Sequence, residues 1–219
     1  MVRDGYFYAL GLGAVAAVLY FLTGSHVLMA VPIVFAAFFL WFFRDPSRII
    51  PAGAGKIVSP ADGTVTEAEW IETTSGSRLR LSIFLSVFDV HVNRSPVSGI
   101  VKAVELRKGE FLNALKPESS LANEQTLIVI DAGGYEVSMK QIAGLLARRI
   151  VCNLKAGDRV ERGQRIGLIK FGSRVDVLLP TEADLRVKKG SRVHGGATVL
   201  AELPESVPVG QLTQTAAAA

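Results

Sequence analysis

The sequence predicts a mostly β (α+β) protein, in which a β-rich, barrel-sandwich-like domain follows an N-terminal hydrophobic helical hairpin. Three observations predict this class. Apolar side chains are concentrated in the first 43 positions. The remainder alternates short β-like runs with turn residues at close intervals. Two late stretches, "AGDRVERGQRIG" at 156–167 and "KGSRVHGGATVL" at 189–200, resemble the paired turns of barrel-sandwich modules.

The composition fits one compact domain and an anchoring segment. The chain has 219 residues, 49% of them hydrophobic, and a net charge of +4. That charge suits contact with anionic lipid headgroups. The basic residues are scattered and lack the interleaved aromatic residues that stack on bases, so we expect no nucleic-acid partner. The single cysteine, Cys152, excludes an intramolecular disulfide, and no Cys/His pattern predicts a metal site.

Two apolar runs form the predicted hairpin. Tyr6–Leu22 and Val27–Phe43 contain no charged side chain, and only four residues separate them. Each run approaches the ~20 residues that cross a bilayer. Arg3 precedes the first run and Arg44 and Arg48 follow the second, so the positive-inside tendency predicts a cell (inner) membrane protein with its domain on the cytoplasmic side. A cleaved signal peptide is the rival interpretation. The second apolar run and the missing small-residue cleavage site count against it.

The chain is predicted to divide into an anchor (1–43), a linker (44–56), a domain (57–203) and a disordered tail (204–219). Proline and glycine residues in the linker stop helices, and the tail ends in alanines. The strands are predicted from alternation and turn signals. They are Gly63–Glu67, Arg78–Leu85, Gly99–Leu106, Thr126–Ile130, Ile150–Leu154, Ile166–Phe171 and Val175–Leu179.

Two further segments are less regular. The run Phe111–Leu115 predicts a short helix. The run Glu136–Arg149 is ambiguous, and we favour strands there because Gly144 would weaken a helix and is compatible with a bend between strands.

The stretch Phe171–Asp176 interrupts a strand-like apolar run with the pair Gly172-Ser173. Most Gly-Ser pairs are turns or bulges. A strained Gly-Ser bond also permits the serine hydroxyl to attack the preceding carbonyl and convert the amide into an ester, and glycine allows a close approach. Removal of the serine α-proton then splits the chain. Hydrolysis of the resulting dehydroalanine leaves ammonia and an N-terminal pyruvoyl group.

Two other motifs offer proton-transfer groups. Ser59–Val65 is compatible with a turn entering a strand, and it would supply Asp62 as a buried carboxylate that orients a partner group. In Phe84–Pro96 an apolar strand is expected to present Asp89 and His91 on the same side, an acid next to a base. His91 is the strongest candidate for moving protons near neutral pH, because the other two histidines lie in the hairpin tip and in a late turn.

Taken in order, these motifs resemble the phosphatidylserine decarboxylase family, in its short bacterial and archaeal class. The resemblance covers nearly the whole chain. It implies cleavage between Gly172 and Ser173, a pyruvoyl cofactor made from Ser173, and conversion of phosphatidylserine to phosphatidylethanolamine. The implied partners are phosphatidylserine, membrane lipids and the chain's own α and β fragments, and a homo-oligomer is left open. Supporting stretches are Phe43–Pro46, Asn123–Gln125, Gln141–Gly144 and Ala147–Ile150.

The chain departs from longer family members at two positions. They carry Gly-Ser-Thr where this chain has Arg174 after Ser173, and a second histidine where this chain has Arg94. Asp62 matches the aspartate that pairs with that second histidine during self-cleavage. Its histidine partner here is either His91 or absent.

Two alternative functions remain at this point. A membrane-anchored module similar to lipoyl, biotinyl or efflux-adaptor domains would share the paired turns, but the chain has no Met-Lys-Met or Asp-Lys-Ala tip and no coiled-coil hairpin. A serine hydrolase would use Ser173 with His91 and Asp62, but Ser173 lacks the Gly-x-Ser-x-Gly elbow. Only the decarboxylase requires the bond between Gly172 and Ser173 to break.

Overall fold

The computed structural model describes residues 2–73, 76–116, 118–145, 149–170 and 173–203. These residues form three α-helices and fourteen β-strands, which confirms the mostly β prediction. The chain divides into two compact units. The first contains residues 1–47 together with 88–90, and the second contains the remainder from residue 48.

The first unit is the predicted helical hairpin. Helix α1 spans Arg3–Thr23 and helix α2 spans His26–Phe42. Gly24, in the left-handed conformation at φ 65°, ends α1, and the side chain of Ser25 caps α2. Aromatic rings join the two helices, including a stacked pair from Tyr8 and Phe39 whose centroids lie 4.9 Å apart. The hairpin prediction is therefore confirmed.

Within the described residues, α1 is long and apolar enough to cross a membrane, whereas α2 is a shorter apolar helix of 17 residues. An N-terminal apolar helix of this kind is consistent with membrane association.

The second unit is built from β-strands and one short helix. Helix α3 spans Ser119–Ala122. The strands are β1 (Lys56–Val58), β2 (Gly63–Thr73), β3 (Gly76–Leu85), β4 (Val92–Arg94), β5 (Gly99–Arg107), β6 (Gln125–Asp131), β7 (Glu136–Ile142), β8 (Ile150–Cys152), β9 (Arg159–Val160), β10 (Arg165–Ile169), β11 (Ser173–Leu179), β12 (Asp184–Leu185), β13 (Arg192–Val193) and β14 (Val199–Glu202).

The strands form one large antiparallel sheet and two small ones. The large sheet has the order β13-β2-β3-β11-β7-β6-β5-β9, and the small ones have the orders β4-β10-β8 and β1-β14-β12. Side chains along β11 alternate between the two faces of the large sheet. Val175 and Val177 join the hydrophobic core, together with Ile83 of β3 and Met139 of β7. Arg174 and Asp176 lie on the opposite face.

All seven predicted strands are found, most with shifted ends, but two local predictions are wrong. Phe111–Leu115 is not helical, because the side-chain amide of Asn123 bonds both backbone groups of Leu112 and fixes a non-helical path. The expected strand carrying Asp89 is absent from the described residues, since β3 ends at Leu85 and residues 87–89 turn.

The ambiguous run from Glu136 begins as β7, as favoured, and residues 143–145 lie in no strand. Residues 146–148 and the predicted tail at 204–219 lie outside the described residues. The second half of the predicted linker is bonded to the domain. Arg162 donates to the carbonyls of Pro51 and Gly53, and the backbone N–H of Leu203 donates to Gly55.

Candidate active site

Ser173 is the first residue of β11, where it pairs with Leu85 of β3. Its side chain lies on the core face of the large sheet and is 0% exposed. Its Oγ has no hydrogen-bond partner among the described residues. A buried hydroxyl without a partner costs about 1–3 kcal/mol. Gly172, the other half of the predicted cleavage site, lies outside the described residues.

His91 is buried one residue before β4. Its backbone carbonyl accepts a hydrogen bond of 3.2 Å from Ile169, the last residue of β10. The chain reaches Ser173 four residues after Ile169, so this bond ties the His91 segment to the strand that leads into the Gly-Ser pair.

The structure assigns Asp62 a set of partners that the sequence did not predict. Arg48 Nη2 donates to Oδ2 at 2.7 Å, and the backbone N–H of Gly195 donates to Oδ1 at 2.8 Å. The Nδ1 atom of His194 lies 3.4 Å from Oδ2. The imidazole next to Asp62 is thus that of His194, which sequence reasoning had set aside as part of a late turn. No local signal could have found a pair 132 positions apart.

Asp62 immediately precedes β2, whereas Ser173 begins β11, and β3 lies between these two strands. Thr64 of β2 pairs with Phe84 of β3, which pairs with Arg174 of β11. Adjacent strands are ~4.8 Å apart, so β2 and β11 are separated by about 10 Å.

Comparison with known proteins decides the family. The family profile for phosphatidylserine decarboxylase matches residues 35–201. The chain belongs to the phosphatidylserine decarboxylase family. It is thereby an enzyme of a decarboxylase family, which removes the non-catalytic binding module as an interpretation.

Several curated relatives of this decarboxylase family are named phosphatidylserine decarboxylase proenzyme. The chain is 48% identical over 202 residues to that of Solibacter usitatus (strain Ellin6076), covering 92% of this chain and 96% of the relative. It is 43% identical over 208 residues to that of Burkholderia pseudomallei (strain 1106a), covering 94% and 96%. It is 47% identical over 171 residues to that of Wolbachia sp. subsp. Brugia malayi (strain TRS), covering 74% of each.

In this member of the phosphatidylserine decarboxylase family, the residue after the serine belongs to a buried ion network. Arg174 is 1% exposed, and its Nε donates to Asp176 at 2.6 Å. Its Nη2 donates to Glu67 and to Ser82, both at 2.6 Å. The guanidinium of Arg174 is therefore already engaged, on the sheet face opposite Ser173. Its place in the network indicates that it fixes β11 against β3 and β2.

Charges in the network shift the pKa values of its members. Burial would raise the pKa of Glu67, but the hydrogen bond and charge of Arg174, with help from Arg80, outweigh burial and hold it below 4.5. Burial would lower the pKa of Arg174, but Asp176 and Glu67 raise it. Lys140 has a lowered pKa, because burial outweighs the attraction of Asp176.

Arg94, which replaces the second histidine of longer family members, is also buried and engaged. Its Nη1 donates to the carbonyl of Gly163 at 3.0 Å, and its backbone N–H donates to Pro60 at 2.9 Å. The latter bond ties β4 to the segment that carries Asp62. Within the described residues, no group of three or more His, Cys, Asp or Glu side chains is arranged to hold a metal ion.

Proposed function

We propose that this protein is a proenzyme that cleaves itself between Gly172 and Ser173 and converts Ser173 into a pyruvoyl group. The observation that carries the proposal is the buried, unpartnered hydroxyl of Ser173 at the start of a central strand. The proenzyme names of the relatives support processing. The uncharged core face around Ser173 also fits a small, neutral carbonyl cofactor.

The reaction that we propose for the processed enzyme is decarboxylation of phosphatidylserine to phosphatidylethanolamine. The pyruvoyl group supplies a ketone that condenses with the substrate amine and accepts the electrons released as carbon dioxide leaves. His91 is proposed as the acid that returns a proton to the α-carbon of the substrate. Its burial beside the strand that leads into Ser173 supports this role.

Asp62 is proposed to act in self-cleavage, as the resemblance to the family implies. Its carboxylate is fixed by Arg48 and Gly195, so it can hold a neighbouring imidazole in one orientation. His194 is the imidazole that the structure supplies. We expect replacement of Asp62 or His194 to slow self-cleavage, and to affect turnover mainly through the loss of processed enzyme.

The helical hairpin is proposed to hold the enzyme at the cytoplasmic face of the cell membrane. Arg3, Arg44 and Arg48 flank the two apolar runs, which supports that orientation. A lipid substrate stays in the bilayer, so anchoring confines the search for it to two dimensions and increases its effective concentration. Phosphatidylserine and the surrounding lipids are the partners of the processed α and β chains.

The experiment is intact mass spectrometry of the purified protein beside a Ser173→Ala variant. We expect the wild type to yield residues 1–172 and 173–219, with the smaller fragment lighter by one ammonia than a chain with N-terminal serine. The variant is expected to stay as one chain of 23.5 kDa. A single intact chain in both samples would overturn the proposal. Release of carbon dioxide from phosphatidylserine vesicles then tests the substrate.

A further inference from the structure

A buried side-chain amide lies next to Ser173 on the same face of the large sheet, and it bonds a second buried amide in the small sheet β4-β10-β8. Gln141 of β7 pairs with Val175, two residues after Ser173 in β11. Because side chains alternate along a strand and paired residues share a face, Gln141 and Ser173 project to the same side. Such diagonal neighbours have Cβ atoms ~7–8 Å apart, a distance that a long side chain can bridge.

The second amide belongs to Asn93 of β4. Gln141 Nε2 donates to Asn93 Oδ1 at 2.8 Å, and both residues are 0% exposed. The pair fits over Gly167 of β10, where a Cβ atom would come within 3.2 Å of Gln141 Nε2 and 2.0 Å of the Val151 carbonyl. The missing side chain at Gly167 therefore leaves the space in which the two amides meet.

The amide pair satisfies only half of its own hydrogen-bonding capacity. Asn93 Nδ2 and Gln141 Oε1 are buried and have no partner among the described residues. If both amides were turned over, one NH₂ group and one carbonyl oxygen would still remain unpaired. Leaving such a group unpaired in the core is destabilising. Ser173 Oγ, on the same face of the large sheet as Gln141, is a third buried polar atom without a partner among the described residues.

We propose that the Asn93–Gln141 pair stabilises the oxyanion formed when Ser173 attacks the preceding peptide bond. This inference rests on the proposed self-cleavage. In that step Ser173 Oγ bonds to the carbonyl carbon of Gly172, and the carbonyl electrons move onto its oxygen. Collapse of the tetrahedral species breaks the C–N bond, and the nitrogen of Ser173 takes up the proton that the hydroxyl loses. An ester results.

The chemistry of the pair matches this step better than any charged group nearby. An oxyanion that exists only in the transition state needs a fixed hydrogen-bond donor in a dry site, and Asn93 offers one. Gln141 fixes the orientation of Asn93 by donating to its other end. Arg174 lies on the opposite sheet face and is held by Asp176 and Glu67. A neutral amide also avoids the cost of burying an uncompensated charge.

The test follows processing over time during cell-free synthesis of the full chain in the presence of lipid vesicles. Asn93→Asp keeps the shape of the side chain and removes its NH₂ donors, and we expect processing to slow by about 10²–10³-fold, the effect of losing one such donor. Asn93→Ala is the second variant, because it introduces no buried charge. Gln141→Glu should slow processing less, since it only disturbs the orientation of Asn93.

The matched control is Gln125→Glu. Gln125 is another buried amide, in β6 and 5% exposed, but it bonds the carbonyls of Ser120 and Asn123. It also pairs with Ile142, so it lies on the face of Arg174. Its variant should process at the wild-type rate. Thermal unfolding of each variant in the Ser173→Ala background shows whether the fold is retained.

Hydroxylamine, which cleaves esters, identifies the step affected. If the pair acts on the acyl shift, the Asn93 variants accumulate no ester, and hydroxylamine releases no fragment from them. Fragments released by hydroxylamine would show that the shift proceeds and would overturn the inference, as would wild-type processing in folded Asn93→Asp and Asn93→Ala variants. Failure of the wild type to process at all would instead overturn the proposed function.

Discussion

At the scale of single residues, the proposed reacting residue and the charged residues lie on opposite faces of β11. Ser173 faces the core on the same side as the uncharged amide of Gln141, whereas Arg174 on the other face is held in an ion network. A charged side chain on the same face as Ser173 would favour one protonation state of the reacting groups. Arg174 is next to Ser173 in sequence, but because side chains alternate along a strand its charge lies on the opposite face.

His91 gives the first prediction at this scale. Replacing His91 with alanine should leave self-cleavage intact and lower turnover by about 10²–10⁴-fold, the usual contribution of a general acid. Intact mass measures the cleavage, and carbon dioxide release measures the turnover. His26→Ala, in the exposed tip of the hairpin, is the control and should behave as the wild type. Unchanged turnover in His91→Ala would remove His91 from the mechanism.

Glu67 gives a prediction for pH. Its pKa is lower in the folded protein than its usual 4.5, because Arg174 and Arg80 outweigh the effect of burial. The ionised carboxylate therefore stabilises the folded state above pH 4.5, and this contribution is lost as the pH falls through the folded-state pKa. Glu67→Gln should lose about 1 kcal/mol at neutral pH, a value reduced for partial exposure, and much less in acid.

Unfolding midpoints of the uncleaved Ser173→Ala protein, measured from pH 7 downward, check this prediction. Glu69→Gln is the matched control. Glu69 also contacts Arg80, but its side chain is 50% exposed, so its loss should change the stability by less than about 0.5 kcal/mol. A Glu67→Gln effect that is independent of pH would contradict the assignment.

At the scale of elements, the end of α2 contacts the loop that leads into His91. Arg44 Nη2 donates to the carbonyl of Phe88 at 2.6 Å, and the ring of Trp41 lies 6.2 Å from that of Phe88. The guanidinium of Arg44 also lies 4.3 Å from the Trp41 ring centroid, a cation–π contact. The hairpin thus holds residues 88–90, which immediately precede His91.

Replacing Arg44 with alanine tests this coupling. Loss of a charge-assisted hydrogen bond should loosen the loop, increase deuterium exchange at residues 88–91 and lower kcat by about tenfold, with little change in KM. Membrane association should persist, because the apolar helices are unchanged. Trp70→Ala, which removes an exposed aromatic residue of β2, is the control. A fall in kcat without faster exchange in the loop would argue against a positioning role.

The same scale shows what the sequence could predict. The hairpin and seven of the strands were predicted because apolar runs and alternation are local signals. The two-residue strands β9, β12 and β13 were missed, since such short strands depend on distant partners. The features of the site also differ in whether a local signal reveals them. The Gly-Ser pair was visible in the sequence, whereas the contacts of Asp62 with His194 and of Asn93 with Gln141 join positions 132 and 48 apart.

At the scale of the whole molecule, a proenzyme of this design must fold before it reacts, because residues from distant strands surround Ser173. The hydroxyl and the two unpaired amide groups reduce the stability of the uncleaved chain. The fold tolerates this loss of stability because the remaining core residues of the sheet pack together in one hydrophobic cluster. On the proposed function, processing depends on the fold, and turnover depends in addition on access to lipid.

The separation of processing from lipid access gives the last prediction. Leu10 and Val15 lie near the middle of α1 and are 72% and 49% exposed. Arginine at both positions should cost about 2.5–3.5 kcal/mol each in a bilayer. The Leu10→Arg/Val15→Arg protein should therefore leave the membrane on an alkaline carbonate wash, whereas a Leu10→Ile/Val15→Ile control stays.

Self-cleavage should be unchanged in the arginine variant, because α1 belongs to the unit that does not contain Ser173. Turnover of phosphatidylserine in vesicles should fall by tenfold or more, since the substrate must now be found from solution. In mixed detergent micelles, where substrate and protein share small particles, turnover should recover towards that of the wild type. If the arginine protein remained in washed membranes with full turnover, α1 would not be the anchor, and the proximity argument for its role would fail with it.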